Sequence, residues 1–448
     1  MCRPQGGIPI LSLIVSIVIL AAAIGIYLAR GRKKSTKVEK KIDNAKEWGL
    51  HEPVSIHPKI DAAKCIGSGA CVKACPEKDI LGISGGKGQL INASQCVGHG
   101  ACAAACPMEA ITLVFGTEKR GVDIPWVSPE FETNVPGVFI VGELGGMGLI
   151  KNAVTQGREA MDHIASLLKQ RKAQDGIYDV VIVGAGPAGI GASLAAAKHK
   201  IKAVTIDQND LGGTVLQYPR HKIVMTSPVE LPLYGKMRLR ETTKEALLEL
   251  WQDVFGKTGL KINSNEKMTG LVKEGCNRFV VQTVKNDYAA RFVVLAIGRR
   301  GTPKKLGVPG EDKGKVTYSL KDPESHRGEN ILVVGGGDSA VEAAMALSAQ
   351  PGNIVTLSYR NDRFSRIKPG NRSRLEEAVA GKKLKIAFKS NVVEIKDKEV
   401  VIETEGKKAT LPNDYVYVFA GGELPNEFLK SIGIRIEKKF GTALNETG

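Results

Sequence analysis

The densest run of apolar positions lies near the start of the chain. From Ile8 to Ala29 nearly every residue is Ile, Leu, Val or Ala, with two Ser and one Gly among them. Wound as an α-helix, this segment measures about 33 Å, enough for a hydrocarbon core of roughly 30 Å, and it predicts a single transmembrane helix at residues 8–29. A basic run follows (Arg30, Arg32, Lys33, Lys34, Lys37, Lys40 and Lys41), whereas only Arg3 precedes. That asymmetry predicts a single-pass protein of the cytoplasmic membrane, its N-terminus outside and its later domains in the cytoplasm. A cleaved signal peptide is the competing reading, but it calls for a basic start and a shorter apolar core. Residues 30–56 are expected to form a charged, partly helical tether.

Further along, apolar residues come in short blocks without polar alternation, the pattern of strands buried on both faces of a parallel sheet. Asp179-Val180-Val181-Ile182-Val183 leads into Gly184-Ala185-Gly186-Pro187-Ala188-Gly189, an Ala-rich helical stretch, and a second block, Ala203-Val204-Thr205-Ile206, that ends at Asp207. The glycines permit a tight turn and close approach to a pyrophosphate at the helix N-terminus, and the acid can bond a ribose hydroxyl. A lone glycine triplet is a weak sign, but strand, loop, helix, strand and terminal acid together are a strong one. The pattern recurs as Ile331-Leu332-Val333-Val334, Gly335-Gly336-Gly337-Asp338-Ser339-Ala340, a helix, and Ile354-Val355-Thr356-Leu357-Ser358-Tyr359. Here Arg360, Arg363 and Arg366 follow instead of an acid. Arginines there suit a 2′-phosphate, which favours NADPH over NADH; the alternative is a solvated basic loop.

Length and charge refine this picture. The 448 residues suggest about three domains, and 43% hydrophobic with 25% charged residues is ordinary for folded domains. The net charge of +16 is partly the membrane-proximal run, so nucleic acid is not expected as a partner.

Six of the eight cysteines lie between Cys65 and Cys106. They form two motifs, Cys65-Ile-Gly-Ser-Gly-Ala-Cys71-Val-Lys-Ala-Cys75-Pro76 and Cys96-Val-Gly-His-Gly-Ala-Cys102-Ala-Ala-Ala-Cys106-Pro107, every position of the first recurring 31 residues later. This spacing suits metal ligands in a reducing compartment better than a secreted disulfide framework. A zinc site, or a fold without metal, is the alternative.

The repeat resembles the two-cluster bacterial ferredoxin pattern over residues 57–118. In that family the fourth cysteine serves the other cluster. The resemblance therefore implies that Cys65, Cys71 and Cys106 hold one iron–sulfur cluster and Cys96, Cys102 and Cys75 the other. The family's second cysteine is replaced by Ser68 in one motif and His99 in the other. Three thiolates per cluster fit a [3Fe-4S] cluster, or a [4Fe-4S] cluster with Ser68, His99 or solvent as fourth ligand; His99 is the better candidate.

Two dinucleotide sites in one chain resemble the thioredoxin-reductase-like flavoproteins over residues 178–448. The resemblance implies FAD at the first site and NADPH at the second. It extends to Leu295-Ala296-Ile297-Gly298, where the chain leaves the FAD domain, and Phe419-Ala420-Gly421-Gly422, near its return. Leu211-Gly212-Gly213-Thr214, Tyr218-Pro219-Arg220 and Met225-Thr226-Ser227-Pro228 resemble the bacillithiol-disulfide reductase branch, where such segments line the flavin. A third FAD-binding segment, expected at the far end, is matched instead by Thr133-Asn134-Val135-Pro136-Gly137-Val138-Phe139-Ile140-Val141-Gly142-Glu143. Gly148, Leu149 and Ile150 then open a helix expected to run to about Leu168. A circular permutation is implied, with Gly142 and Glu143 at the ribityl chain and the helix start at Ile150 aimed at the flavin. It predicts that Gly448 lies near residues 119–125.

The family's reactive thiols are missing. The nucleotide domain has no C-x-x-C, and Ala188 occupies the first-loop position where bacillithiol-type reductases carry a cysteine. Cys2 and Cys276 look incidental.

The expected fold is α/β: two Rossmann-like dinucleotide-binding domains, the FAD domain circularly permuted, plus a small ferredoxin-like α+β domain and one N-terminal transmembrane helix. The expected parts are the helix (8–29), tether (30–56), ferredoxin-like domain (57–118), permuted FAD segment (121–170), FAD domain (178–300), NAD(P)H domain (301–423) and return to the FAD domain (424–448). The expected function is a membrane-anchored oxidoreductase, with no nucleic acid as partner, that passes electrons between NADPH, FAD and two clusters to a redox protein or membrane acceptor. A homodimer is expected. A thiol/disulfide reductase and a non-catalytic relay or sensor are the alternatives.

Overall fold

The computed structural model describes residues 10–443 except 54–55, 78, 99, 119–120, 147, 171–175, 219, 221, 240, 276, 300, 365–366 and 383. His99, Arg366, Pro219, Cys2, Cys276 and Gly448 thus lie outside the described residues. The chain divides into two compact units, Met1–Leu113 and Val114–Gly448.

The first unit begins with one helix, Ile10–Glu47, of 38 residues. Among the described residues it is the one helix long and apolar enough to cross a membrane. The basic stretch, expected as a charged and partly helical tether, is helical to Glu47. It continues this helix, and Val38, Ile42 and Ala45 pack against Leu50 and Ile91 of the following domain. Apolar residues at three- and four-residue spacing within the basic run supply that face, and the lysines occupy the rest of the surface. The domain itself has two short helices, Ala70–Ala74 and Ala101–Ala104, each led by a glycine at positive φ. A hairpin, Leu81–Ser84 with Lys87–Leu90, lies between them in sequence.

The second unit is built around two large sheets. In the first, Tyr178–Val183 lies between Ala203–Ile206 and Asp287–Leu295, all parallel. The other edge of Asp287–Leu295 is shared: Phe279–Thr283 pairs antiparallel with its first half, and Val138–Ile140 pairs parallel with Val293–Leu295. Helices Ile150–Lys169 and Pro187–Lys198 cover one face, where Met161, Ile164, Ile182 and Phe292 are fully buried. The two helices approach backbone to backbone. A Cβ on Gly157 would stand 2.0 Å from the Ala188 carbonyl oxygen, and one on Gly191 would stand 2.4 Å from that of Val154. The last described strands return to this region: Ile436–Lys439 pairs antiparallel with Val122–Pro125, and Thr442–Ala443 with Val114 and Phe115.

The chain leaves the first sheet through Thr302–Pro303 and comes back through Gly422–Glu423, which pair with each other. Between them lies the second sheet. Its strands Val316–Thr317, Tyr415–Val418, Asn330–Val334, Ile354–Ser358 and Leu384–Ala387 are all parallel, with an antiparallel three-stranded sheet from Ser390 to Pro412 beside them in sequence.

The helix pair gives a stability test. Gly157→Ala is expected to lower unfolding free energy by about 3 kcal/mol, since backbone must shift to admit one methyl. Gly256→Ala, in the interior of helix Lys244–Thr258 with open space around it, is expected to raise it by up to about 1 kcal/mol. Denaturant unfolding of both variants reads the opposite signs.

Candidate functional site

The first glycine loop is held by its neighbours on every side but one. Gly184 has φ +111 and would drive a Cβ to 2.4 Å from the Ala296 carbonyl oxygen, and a Cβ on Gly189 would meet the Gly184 oxygen at 1.7 Å. Gly186 differs. Its φ of −76 suits any residue, and a Cβ there meets nothing nearer than Gly213 Cα at 3.8 Å. Neither strain nor crowding by the protein demands glycine at Gly186, so the vacant side is room for a ligand's close approach. Pro187 opens the helix at its first position, and Ala188 is buried.

Asp207 also has partners within the protein. Its carboxylate is buried, 6% exposed, and accepts from the backbone N–H of Ala185 at 2.6 Å and of Asn209 at 2.7 Å. Burial pushes its pKa above the usual carboxylate range despite those two bonds. Those two bonds brace the loop from beneath, since a desolvated carboxylate takes the nearest N–H donors.

Three further segments border the loop. Gly212 donates its N–H to the Ala185 oxygen at 2.9 Å, and a Cβ on Gly213 would meet Gly186 Cα at 2.8 Å. Thr214 Oγ1 lies 4.0 Å from where Gly298 would place a Cβ. Gly142 (φ +81) would press a Cβ to 2.9 Å from that of Ala188, and its N–H is held by Gln156 Oε1 at 2.8 Å. So the sequence stretch around Gly142 stands against the first glycine loop, with Glu143 exposed beside it. The helix starting at Ile150 has no side-chain cap, and its preceding residue, Leu149, is held at φ +145. Its first-turn N–H groups are therefore a local source of positive potential.

Two buried polar atoms of this region have no partner in the protein: Thr226 Oγ1 and Asn152 Nδ2. Buried polar atoms are rarely left so, and a bound group with polar edges would satisfy them. These orphans and the open side of Gly186 fit FAD. Arg299 was not singled out from sequence. It is half-buried; burial lowers its pKa, while Glu143 and Asp123 act in the opposite direction. The signal available was its place directly after Gly298.

At the second loop, Gly335 would drive a Cβ to 2.5 Å from the Phe419 oxygen and 2.9 Å from Ala340 Cβ, which fixes small residues at both positions. Gly337, at φ −99, has nothing within 4 Å. This is again a glycine that only a ligand requires. Ser339 is exposed at the helix start. Asp338 is turned away to accept from Lys368 N at 2.8 Å and Asn371 Nδ2 at 2.7 Å, so it anchors the neighbouring loop. Arg360 and Arg363 are exposed beyond the second strand, beside the stacked pair Tyr359 and Phe364 at 5.2 Å. An ion pair, Lys222 Nζ to Glu342 Oε2 at 3.0 Å, ties the segment before Thr226 to this second loop's helix. Burial pushes the Glu342 carboxyl up, but Asn371 and Lys222 more than offset it and hold it below the usual range.

In the first unit, Cys65, Cys71 and Cys106 border one cavity together with Ser68, Ile60 and Met108. Cys75, Cys96 and Cys102 stand near enough to one another for their charges to interact. All six are free thiols. Among the described residues no three metal-binding side chains converge on a single ion; the first set instead surrounds a shared space. Gly67, Gly69, Gly98 and Gly100 all have φ between +69 and +76, so the two halves of the repeat share one backbone course. Burial pushes the thiols of Cys71, Cys75 and Cys96 up, and that of Cys102 to about 11. Such thiols stay protonated at neutral pH unless a metal displaces the proton. Backbone N–H groups of Gly88 and Ala110 donate to the sulfurs of Cys65 and Cys106 at 3.2 and 3.3 Å. N–H donors on sulfur suit ligands of an iron–sulfur cluster. Ser68 accepts weakly from Ala70 N at 3.4 Å.

Comparison with known proteins agrees with both parts. A family described as pyridine nucleotide-disulphide oxidoreductase matches residues 181–448, and a 4Fe-4S dicluster domain matches residues 57–107. A bacilliredoxin reductase of Bacillus subtilis (strain 168) is 29% identical over 266 residues, covering 58% of this chain and 82% of that protein. A ferredoxin–NADP reductase of Ignicoccus hospitalis is 32% identical over 268 residues, covering 58% and 83%. Among solved structures, the bacillithiol disulfide reductase of Bacillus cereus superposes with a TM-score of 0.53 at 26% identity, covering 59% of this chain and 84% of that one.

Gly337→Ala separates ligand from scaffold. It is expected to weaken NADPH binding about ten- to a hundredfold, read by calorimetric titration. Its effect on stability is expected to stay within about 1 kcal/mol, the scale of a changed helix N-cap.

Proposed function

Because this chain belongs to the pyridine nucleotide-disulphide oxidoreductase family and is a flavin-dependent oxidoreductase, we propose that it is a membrane-anchored enzyme that moves electrons between NADPH and two iron–sulfur clusters of its own. One observation carries this reading. Two glycine loops with open space at the second glycine share a chain with six free thiols in two sets of three. A bound FAD supplies the exchange between a two-electron nucleotide and one-electron carriers.

The residues have these roles in the proposal. Gly184, Gly186 and Gly189 admit the FAD pyrophosphate, and Thr226, Asn152 and the bare helix start at Ile150 meet the flavin. Glu143, from a circularly permuted third FAD segment, faces the ribityl side. The pairing of Ile436–Lys439 with Val122–Pro125 supports that permutation, since it brings the far end of the chain beside the start of the displaced piece. Gly335, Gly337 and Ala340 admit the nucleotide phosphates, and Arg360 and Arg363 take the 2′-phosphate. Cys65, Cys71 and Cys106 hold one cluster, and Cys75, Cys96 and Cys102 the other. The apolar helix supports the anchor, with the basic run on the cytoplasmic side.

A second reading, thiol/disulfide reduction, is favoured by the likeness to bacilliredoxin reductase. It needs a thiol from elsewhere, because every described cysteine lies between Cys65 and Cys106. Thiol titration during turnover tells the two apart.

Anaerobic titration with NADPH, followed by absorbance and EPR, is expected to bleach the flavin and bring up reduced-cluster signals. A flavin that stays oxidised, or a sample that binds FAD but no iron, would overturn the proposal. Replacing Arg360 and Arg363 together by Ala is expected to lower kcat/KM for NADPH about tenfold or more and leave NADH nearly unaffected.

A further inference from the structure

The first unit attaches its two cysteine sets to the long helix at different heights, and this puts them in order. Ser35 accepts from Gly85 N at 2.8 Å and lies 2.9 Å from Ser84 Oγ, which donates to Glu39 Oε1 at 2.7 Å. These contacts fix the turn of hairpin 81–90 on the helix. The same turn carries the first cysteine motif. A Cβ on Gly67 would lie 2.2 Å from the Gly86 oxygen, Lys87 Nζ donates to the Cys65 oxygen at 2.7 Å, and Gly88 N donates to Cys65 Sγ at 3.2 Å.

The second set attaches further along. Leu50 accepts from Ser94 N at 2.9 Å, two residues before Cys96, and Ala45 and Leu50 pack on Ile91. From Ser35 to the helix end at Glu47 is about 18 Å of rise. The Cys65–Cys71–Cys106 cavity is therefore at the apolar end of the helix, and the Cys75–Cys96–Cys102 set is at the far end.

Ser35 comes six residues after Ala29, the last of the apolar run, or about 9 Å along the helix. The headgroup zone occupies roughly 5–8 Å on each side of a bilayer core. The repeat also breaks its symmetry in a way that matches. After the closing Pro of each motif stands Met108 in one half and Glu77 in the other. Met108, 45% exposed, and Ile66, 63% exposed, rim the Cys65 cavity, whereas Glu77 places its charge beside Cys75 and Cys96. Val97, the counterpart of Ile66 in the second half, is exposed as well, so the two rims differ in Met108 against Glu77.

We propose that the Cys65–Cys71–Cys106 site is the membrane-facing redox terminus, and that Ile66 and Met108 form the contact at which a lipid-phase quinone exchanges electrons with it. This rests on the anchored, cluster-bearing reading above. The balance is simple: NADPH becomes NADP+, giving up two electrons and one proton. The quinone takes the two electrons singly and two protons, one drawn from water, to become the quinol.

The test uses the full chain in vesicles that contain a quinone and a lipid with a Gd3+-chelating headgroup. Ser68→Cys supplies a fourth thiol to the first set and so marks which EPR signal belongs to it. That signal is expected to relax several times faster in the presence of Gd3+ than the other. Equal enhancement, or a larger one for the second signal, overturns the proposal. A helical spacer of about 22 residues between Arg32 and Lys33 lifts the domain by about 33 Å. It is expected to keep cluster reduction by NADPH but cut quinol formation tenfold or more; undiminished quinol formation also overturns the proposal. If the unaltered chain does not sediment with vesicles, the anchor reading fails. If it holds no iron, the cluster reading fails.

Discussion

Parallel pairing of Val138–Ile140 with Val293–Leu295 is the constraint on which the surroundings of the first glycine loop depend. It lets the chain run straight from the strand into Gly142, whose missing side chain allows the approach to Ala188. Were the pairing shifted by one residue, side chains would swap faces and Phe139 would leave the core it fills. Buried strand, glycine contact and helix start at Ile150 form one continuous piece. Helix Ile150–Lys169 is then pinned by Gly157 and Gly191 against helix Pro187–Lys198, which itself begins in the first glycine loop. The geometry around that loop is thus over-determined by backbone contacts, and the vacancy at Gly186 is what those contacts leave over. Rigid backbone on all other sides is a good way to hold a pyrophosphate, because no loop need be ordered when the ligand arrives.

Much of this was legible in the sequence because it depends on backbone rather than on side-chain detail. Unalternating apolar blocks specified the buried parallel strands, and glycine spacing specified the loops. The duplicated cysteine spacing likewise marked the six thiols of the first unit, while their division into two sets of three came from the ferredoxin resemblance. What could not be read was how particular polar side chains settle when buried. Asp207 and Asp338 sit at positions where an acid suggests a ligand, and each also accepts from nearby N–H groups. The choice depends on distances of a few tenths of an ångström that no spacing rule carries. Arg299 was missed for the converse reason. An arginine after a strand reads as surface charge until the fold brings Glu143 and Asp123 from a distant stretch towards it.

The basic run shows what spacing adds to a reading of charge. Lysines at high density read as a charged, partly helical tether, and most of them are exposed. But Val38, Ile42 and Ala45 make a narrow apolar stripe through the charge, and a stripe of that width is enough to dock a helix on a small domain. The ion pair of Lys41 with Asp79 adds little by itself, being exposed. Burial of Ala45, Leu50 and Ile91, each at 2% exposure or less, carries the attachment.

That distinction bears on what an anchor does. A flexible linker would hold a redox domain near a bilayer while leaving its orientation free, so that every face would be equally able to meet the membrane. A helix that runs unbroken from the apolar segment into the domain's core transmits direction as well as distance, because a helix bends only gently without Pro or a break in its hydrogen bonds. No Pro interrupts residues 10–47. The serine pair at Ser35 and Ser84 and the apolar contacts at Ala45 grip the domain at two heights, which removes rotation about either contact alone. Order along the helix is therefore a property of the folded unit itself, and the difference between Met108 and Glu77 falls along that same axis.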